Sequence, residues 1–255
     1  MAQGQRNKKP GGAKNADRAT PQASSSRVSF YVLIAALTAI GAGGIYYKMH
    51  SAPKPIVLSD TAIFPKSEGY LLGNPNAPVT IIEFADFECE QCANFSTVTE
   101  PDVRKRIIET GLANMRFYDF PLTDKHPNSV FASLAASCAA EQGKFWQMHD
   151  TLMFRQGEWQ GHTQSNPNPV PQFESYAKQV GLEMGKYDAC FKSRENVAKI
   201  NAHYKAGLEF QVPATPSFVI GGTLHAGSQP YDVIKRLVDL ETMKIKAHAD
   251  SGKER

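Results

Sequence analysis

Two cysteines separated by two residues, Cys89 and Cys92, follow closely on an apolar, β-branched run from Val79 to Phe84. That junction constrains the chain more than any other feature. The run is short, apolar and flanked by turn residues, and reads as a central strand buried on both faces. If Cys89 then opens a helix, Cys92 falls three residues on, so both sulfurs lie on the same side of the first turn. Sulfurs so placed can close a small, reversible disulfide. The helix N-terminus adds free N–H groups and the positive end of the dipole, both of which favour a thiolate over a thiol. Cys89 is therefore expected as the exposed nucleophile and Cys92, one turn inside, as the buried resolving partner.

The stretches around this junction set the fold class. After Cys89 a helix carries Phe95 and Val98 on one face and is interrupted at Pro101. Val103, Ile107 and Ile108 continue its stripe until Gly111, and Ala113 to Phe120 forms a second strand. Strand, helix and strand in this order predict a parallel βαβ unit. Helical spacing dominates from Pro127 to about Phe210, interrupted by a loop over 155–171, so this segment is expected as an all-helical insertion. Ser217 to Ile220, Gly221-Gly222 and Thr223 to Ala226 predict a hairpin, and Tyr231, Ile234, Leu237 and Val238 mark a closing helix. The expected fold is α/β, a βαβ…ββα arrangement over 69–245 with the insertion at 127–210 and a flexible tail at 246–255.

The N-terminal part differs in kind. Residues 1–27 carry six basic groups and one acid, whereas the rest of the chain carries 22 basic and 24 acidic groups. The net charge of +3 thus comes from a low-complexity tail, expected as disordered, and a basic nucleic-acid face on the folded part is not indicated. From Val28 to Tyr47 no residue is charged across twenty positions. A helix of that length spans about 30 Å, enough for a bilayer core. The run exceeds the about 7–15 apolar residues of a cleaved secretory signal, so 28–47 is read as a transmembrane signal anchor. Basic residues before it keep the N-terminus cytoplasmic and put everything from about residue 50 outside. Pro53, Pro55 and Pro65 make 48–68 a linker.

With these residues in place, the chain resembles the thioredoxin superfamily and, within it, the DsbA-like thiol-disulfide oxidoreductases. The likeness rests on Leu72-Gly-Asn-Pro-Asn-Ala-Pro-Val-Thr-Ile-Ile-Glu-Phe-Ala-Asp-Phe-Glu-Cys-Glu-Gln-Cys92, on Glu141-Gln-Gly-Lys-Phe-Trp146 and on Val212-Pro-Ala-Thr-Pro-Ser-Phe-Val-Ile-Gly-Gly222. It implies a thioredoxin fold over about 70–240. It also implies a cis Thr215-Pro216 peptide beside Cys89 and Cys92, with Pro213 three residues earlier as the competing candidate; such a proline leaves neighbouring backbone free to pair with an extended substrate. Glu83, on a strand that otherwise reads as buried, is implied as the group that takes and returns the proton of Cys92; a strand-edge glutamate facing solvent is the alternative. Cys138 and Cys190 are implied as a structural disulfide between two helices, against the alternative of two buried thiols.

The dipeptide between the sulfurs departs from the Pro and His of strongly oxidising DsbA enzymes. Here it is Glu90-Gln91, with Glu88 on the other side. An exposed carboxylate costs a nearby thiolate on the order of 1 kcal/mol, comparable to what the helix dipole contributes. A less acidified thiol and a less oxidising disulfide are expected, with a Cys89 pKa well above the value of about 3.5 found in the His-containing enzymes.

The expected activity is disulfide exchange with cysteine-containing extracytoplasmic proteins, running toward disulfide formation and reset by a membrane redox partner. A reductase or isomerase fed with electrons by a membrane partner, or a tethered peptide-binding chaperone, are the alternatives. Four cysteines in a chain expected outside a membrane fit an oxidising compartment. No cofactor is expected. A zinc site is not indicated, because only one C-x-x-C is present and His126, His149, His162 and His203 lack ligand spacing. Phe145 and Trp146 read as insertion core, His126 as a helix-entry residue, and Trp159 and His162 as candidates to line a groove.

Overall fold

The computed structural model describes residues 25–50, 56–57, 69–161 and 168–253. The basic tail before residue 25, most of the linker and His162 lie outside the described residues. The chain forms two compact units, Met1–Ala52 and Pro53–Arg255. In the first, the described part is one helix, α1 (Ser25–His50). Its described side chains, those of residues 29–44 and 46, are all exposed. Among the described residues no helix is long and apolar enough to cross a membrane. The described side chains of α1 make a shorter run than the twenty uncharged positions of the sequence.

The second unit is built on a six-stranded sheet of β1 (Ile56–Val57), β2 (Tyr70–Leu72), β3 (Val79–Ala85), β4 (Ala113–Asp119), β5 (Ser217–Ile220) and β6 (Thr223–Ala226), in the order β1-β6-β5-β3-β4-β2. β3 and β4 run parallel, and every other neighbouring pair is antiparallel. β3 lies at the centre because its side chains are apolar on both faces. Val79 and Ile81 pack with Phe95, Val103, Ile107, Phe218, Ile234 and Val238. Ile82 and Phe84 pack with Tyr118, Phe120, Phe210 and Leu224. By the same alternation Glu83 shares the face of Val79 and Ile81. The hairpin between β5 and β6 turns at Gly221 and Gly222, both at positive φ (57° and 73°), as a tight primed turn requires.

The helix after the cysteines is divided as well as interrupted. α2 (Glu90–Asn94) passes through a π turn at Phe95–Thr99 into α3 (Glu100–Val103) and a second π turn at Arg104–Ile108. Pro101 stands in the first turn of α3, where its missing N–H is not needed. The widened turns change which residues face inward. Phe95, Val103 and Ile107 are fully buried, whereas Val98, expected beside Phe95, is 67% exposed.

Five helices, α4 (Ser129–Ala140), α5 (Phe145–Phe154), α6 (Val170–Gln179), α7 (Met184–Ser193) and α8 (Val197–Glu209), occupy the span expected for the insertion. Most of them share a core of Phe87, Phe145, Met148, Leu152, Phe173 and Tyr176. Trp159 belongs to this core and does not line a groove. A 3-10 turn at Gln156–Glu158 folds the chain back so that its ring packs on Phe173, and its Nε1 donates to the Leu152 carbonyl at 3.0 Å. Trp146, expected in the core, is half-buried and donates Nε1 to the Leu71 carbonyl at 2.7 Å, tying the insertion to β2. At Gly207 on α8 an added Cβ would overlap the Phe120 ring, so glycine lets the helix lie close to the sheet. The closing helix α9 (Tyr231–Lys253) is longer than expected: 246–253 is helical, because neither proline nor glycine interrupts the segment before Gly252.

Candidate active site

Cys89 is the N-cap of α2, with extended backbone (φ −76°, ψ 121°), and its carbonyl accepts from Cys92 N at 3.0 Å and Ala93 N at 3.1 Å. The turn that delivers it is held from several directions. Cys89 N donates to the Asp86 carbonyl at 3.1 Å, and Asp86 Oδ1 accepts from Glu88 N at 2.8 Å. Asp86 Oδ2 accepts from Leu122 N and lies 2.7 Å from His126 Nδ1. Gln156 Nε2 donates to the carbonyls of Phe87 (2.8 Å) and Cys89 (3.0 Å).

Glu88 differs from its expected position. Rather than facing solvent beside the thiolate, it is fully buried and accepts from Asn128 N at 2.7 Å and from Gly161 N. These backbone donors satisfy a carboxylate that would be costly to bury alone. Only Glu90 and Gln91 of this stretch stay exposed.

The two sulfurs are unbridged, and their environments are opposite. The Cys89 pKa is lowered to about 6, chiefly by the hydrogen bond from the Cys92 thiol, then by Thr215 and by the backbone N–H groups of Cys92 and Gln91. Burial opposes this but is outweighed. Thr215 meets the sulfur in two ways. Its carbonyl, 3.4 Å from Cys89 Sγ, accepts from the thiol form. Its side chain lowers the Cys89 pKa, although the hydroxyl has no hydrogen-bond partner in this arrangement. Cys92 is fully buried and its pKa is pushed well above the ordinary thiol value by burial, then by the neighbouring Cys89 sulfur, with Glu83 adding to the effect.

Glu83 lies buried on β3 at 1% exposure, which rules out the solvent-facing alternative. Burial and then the neighbouring Glu100 raise its proton affinity well above that of an ordinary carboxyl, against a smaller opposing effect of Arg104. Thr215-Pro216 is a cis peptide, Pro216 is buried, and its carbonyl accepts from Gly227 N at 2.8 Å. Cys138 and Cys190 are joined by a disulfide that ties α4 to α7.

Sequence reasoning missed two groups. His126 touches the Asp86 carboxylate, which raises its pKa, with further contributions from Cys89 and Glu88. Glu100, Arg104 and Asp150 form a chain of contacts on the Glu83 side. The i,i+4 spacing of Glu100 and Arg104 signals an ion pair, but the burial of Glu100 and the Asp150 contact have no local signature. Among the described residues no cluster of His, Cys, Asp and Glu suited to a metal is present. A cleft of about 370 Å³ beside the dipeptide is lined by Glu90, Gln91, Asn94, Thr97, Met153 and Phe154, the last 80% exposed.

Comparison with known proteins agrees with this geometry. Over 66–240 the chain matches the family model described as thioredoxin. It is 30% identical over 185 residues to a Na(+)/H(+) antiporter NhaA 3 of Salinispora tropica, a match covering 72% of this chain and 26% of that protein. The chain thus spans about a quarter of the length of such relatives. It is 24% identical over 182 residues to a probable disulfide bond formation protein D of Bacillus anthracis, covering 71% and 82% of the two chains. Among solved structures it is similar to oxidised BdbD from Bacillus subtilis (TM-score 0.59, 22% identity, 72% of this chain and 95% of that one). It is also similar to α-DsbA1 from Wolbachia pipientis (TM-score 0.60, 22% identity, 72% and 96%). With the matched model covering strands β2 to β6 and the cysteine pair between them, the chain belongs to the thioredoxin family.

Proposed function

We propose that this chain is a thiol-disulfide oxidoreductase that forms disulfides in cysteine-containing extracytoplasmic proteins and is reset by a membrane redox partner. The observation that carries the reading is the contrast within one helical turn between a Cys89 sulfur that favours the anion and a Cys92 sulfur that favours the proton. In the oxidising direction a substrate thiolate attacks Cys89 of the Cys89–Cys92 disulfide. The new bond is substrate sulfur to Cys89 sulfur; Cys92 leaves with the electron pair and takes up a proton, for which Glu83 is the nearest proposed donor. A second substrate thiolate then attacks the first substrate sulfur and expels Cys89 as thiolate. Two electrons have passed from the substrate to the cysteine pair, and a substrate disulfide has formed. The Thr215-Pro216 segment, whose Thr215 carbonyl lies 3.4 Å from Cys89 Sγ, supports docking of an extended substrate segment, and the cleft past Gln91 toward Phe154 offers room for its side chains.

The uncharged run over 28–47, helical in α1, supports a single-pass anchor with the N-terminus cytoplasmic and the cysteine pair outside. One observation favours a second reading, a reductase or isomerase. A Cys89 pKa of about 6 stabilises the reduced pair less than the about 3.5 of strong oxidants does. Equilibrating the pair with glutathione decides between them. A potential between about −120 and −200 mV supports the oxidant; one near −270 mV overturns it in favour of a reductase. A chaperone would keep protecting unfolded clients after Cys89→Ser, whereas an oxidoreductase loses turnover.

A further inference from the structure

The helical insertion reaches back to the nucleophile through one side chain for which disulfide exchange as described has no use. Gln156 opens the 3-10 turn after α5, 67 residues beyond Cys89, and is buried. Its own backbone is held, because its carbonyl accepts from Trp159 N at 3.2 Å and Gln160 N at 3.0 Å, and Trp159 is sealed in the insertion core. From that fixed base Nε2 donates to the carbonyls of Phe87 at 2.8 Å and Cys89 at 3.0 Å. Two carbonyls can be met only by the amide nitrogen, so the chemistry sets the orientation of the side chain.

These contacts matter because of where they fall along the chain. The Phe87 carbonyl belongs to the peptide plane between residues 87 and 88, whose N–H, from Glu88, donates to Asp86 Oδ1 at 2.8 Å. The next plane is held by Cys89 N, which donates to the Asp86 carbonyl at 3.1 Å. The Cys89 carbonyl belongs to the plane after that. A peptide unit is rigid, so holding consecutive planes fixes φ and ψ of the residues between them. Gln156 therefore grips the planes at both ends of Glu88-Cys89, and Asp86 anchors the plane in the middle. Glu88 adds a second tie to the insertion through Asn128 N at 2.7 Å and Gly161 N.

We propose that Gln156 is a positioning residue for the nucleophile: its amide fixes the backbone that carries Cys89, so that the sulfur stays aimed while its bonding partner changes. This rests on the exchange reading above and deepens it. In that reaction the Cys89 sulfur is bonded in turn to Cys92 and to a substrate sulfur, and each transfer needs the attacking and leaving sulfurs correctly placed about it. A misplacement of about 1 Å costs about 10²-fold in rate. A neutral amide suits the task, because it adds no negative charge beside a thiolate, as a carboxylate in its place would. Gln156 also lines the cleft beside Glu90 and Gln91, so the test separates positioning from substrate contact.

The full wild-type chain is compared with Gln156→Met, which removes both donors at similar size and unchanged charge. The readouts are the pH profile of Cys89 alkylation in the reduced chain, and kcat and KM for oxidation of a reduced, unfolded protein. The expected results are an alkylation midpoint shifted upward from about 6, because the sulfur drifts from its donors, and kcat lowered by about 10²-fold at unchanged KM. An unmoved midpoint in the folded variant overturns the proposal, and so does a raised KM at unchanged kcat, which marks a substrate contact. Failure of the exchange reading looks different: the wild-type chain itself then shows no turnover, while the alkylation profiles still report on Gln156. A further check does not depend on the variant folding. In the wild-type chain the side-chain amide protons of Gln156 should exchange with solvent more slowly than those of exposed Gln91, and equal rates overturn the proposal.

Discussion

The molecule contains two cysteine pairs that differ in everything except the element. Cys89 and Cys92 are three residues apart on one turn, ringed by donors that stabilise a sulfur anion at the outer position and by burial that opposes one at the inner. Cys138 and Cys190 are 52 residues apart on different helices, with Cys138 fully sealed in the insertion core and Glu141 Oε1 3.5 Å from Cys190 Sγ. A bond that must open and close needs a low-barrier way to store charge and move a proton. A bond that only holds helices together needs neither. The difference teaches that the surroundings of a sulfur, more than its pairing, decide whether it is a reagent or a staple.

The sharpest way to break this comparison is to remove one sulfur from each pair. Cys89→Ser should abolish oxidation of a reduced, unfolded substrate protein, while Cys138→Ser should retain it at temperatures where the chain stays folded; equal losses would erase the distinction. The reverse effect is expected in stability. Replacing Cys138 and Cys190 together by Ala opens a loop of 52 residues. In the chain-entropy model this should cost about 4 kcal/mol in urea unfolding.

A smaller effect concerns pH. The rate of Cys89 alkylation should follow a single titration with a midpoint near 6. Because the folded thiol ionises below its ordinary value of 9.0, its contribution to the stability of the reduced chain is fully present above pH 9 and is lost as pH falls through about 6. The oxidised chain should not show this dependence, and an identical profile in both forms would contradict it. The smallest effect is at His126, whose pKa is raised by Asp86. A raised pKa stabilises below the ordinary histidine value of 6.5 and ceases to do so as pH rises through the folded value. His126→Asn should therefore cost about 1 kcal/mol at pH 5.5 and less at pH 8.5, measured by the difference in unfolding midpoints.

Much of the fold was legible because its signals are local. The β-branched run into Cys89 made β3, the paired glycines made the β5–β6 turn, and helical periodicity bounded the insertion to within two or three residues of its observed ends. Expectations failed where a residue's fate depends on a distant partner. Glu88 looked exposed because nothing near it in the chain could neutralise it; its donors, Asn128 N and Gly161 N, lie 40 and 73 residues away. Trp159 looked like a groove residue because it sits in a polar loop, yet the turn at Gln156–Glu158 returns it to the core. Val98 was misplaced because the π turn at Phe95–Thr99 changes the helical phase, and spacing rules assume a uniform helix.

By itself the sequence determined the order of elements and the chemistry available. A C-x-x-C after a buried strand, a Thr-Pro before a hairpin and an acid on the central strand are written in neighbouring residues, because strand alternation and helix-turn spacing act over only a few positions. Only the tertiary structure decided how that chemistry is arranged. It put the Thr215 carbonyl 3.4 Å from Cys89 across 126 residues, closed Cys138 on Cys190, and set Glu100 close enough to Glu83 to raise its proton affinity, with Arg104 between Glu100 and Asp150. Burial and charge coupling are properties of three-dimensional neighbourhoods, so the acidity of each sulfur and carboxyl was settled only when distant segments packed together.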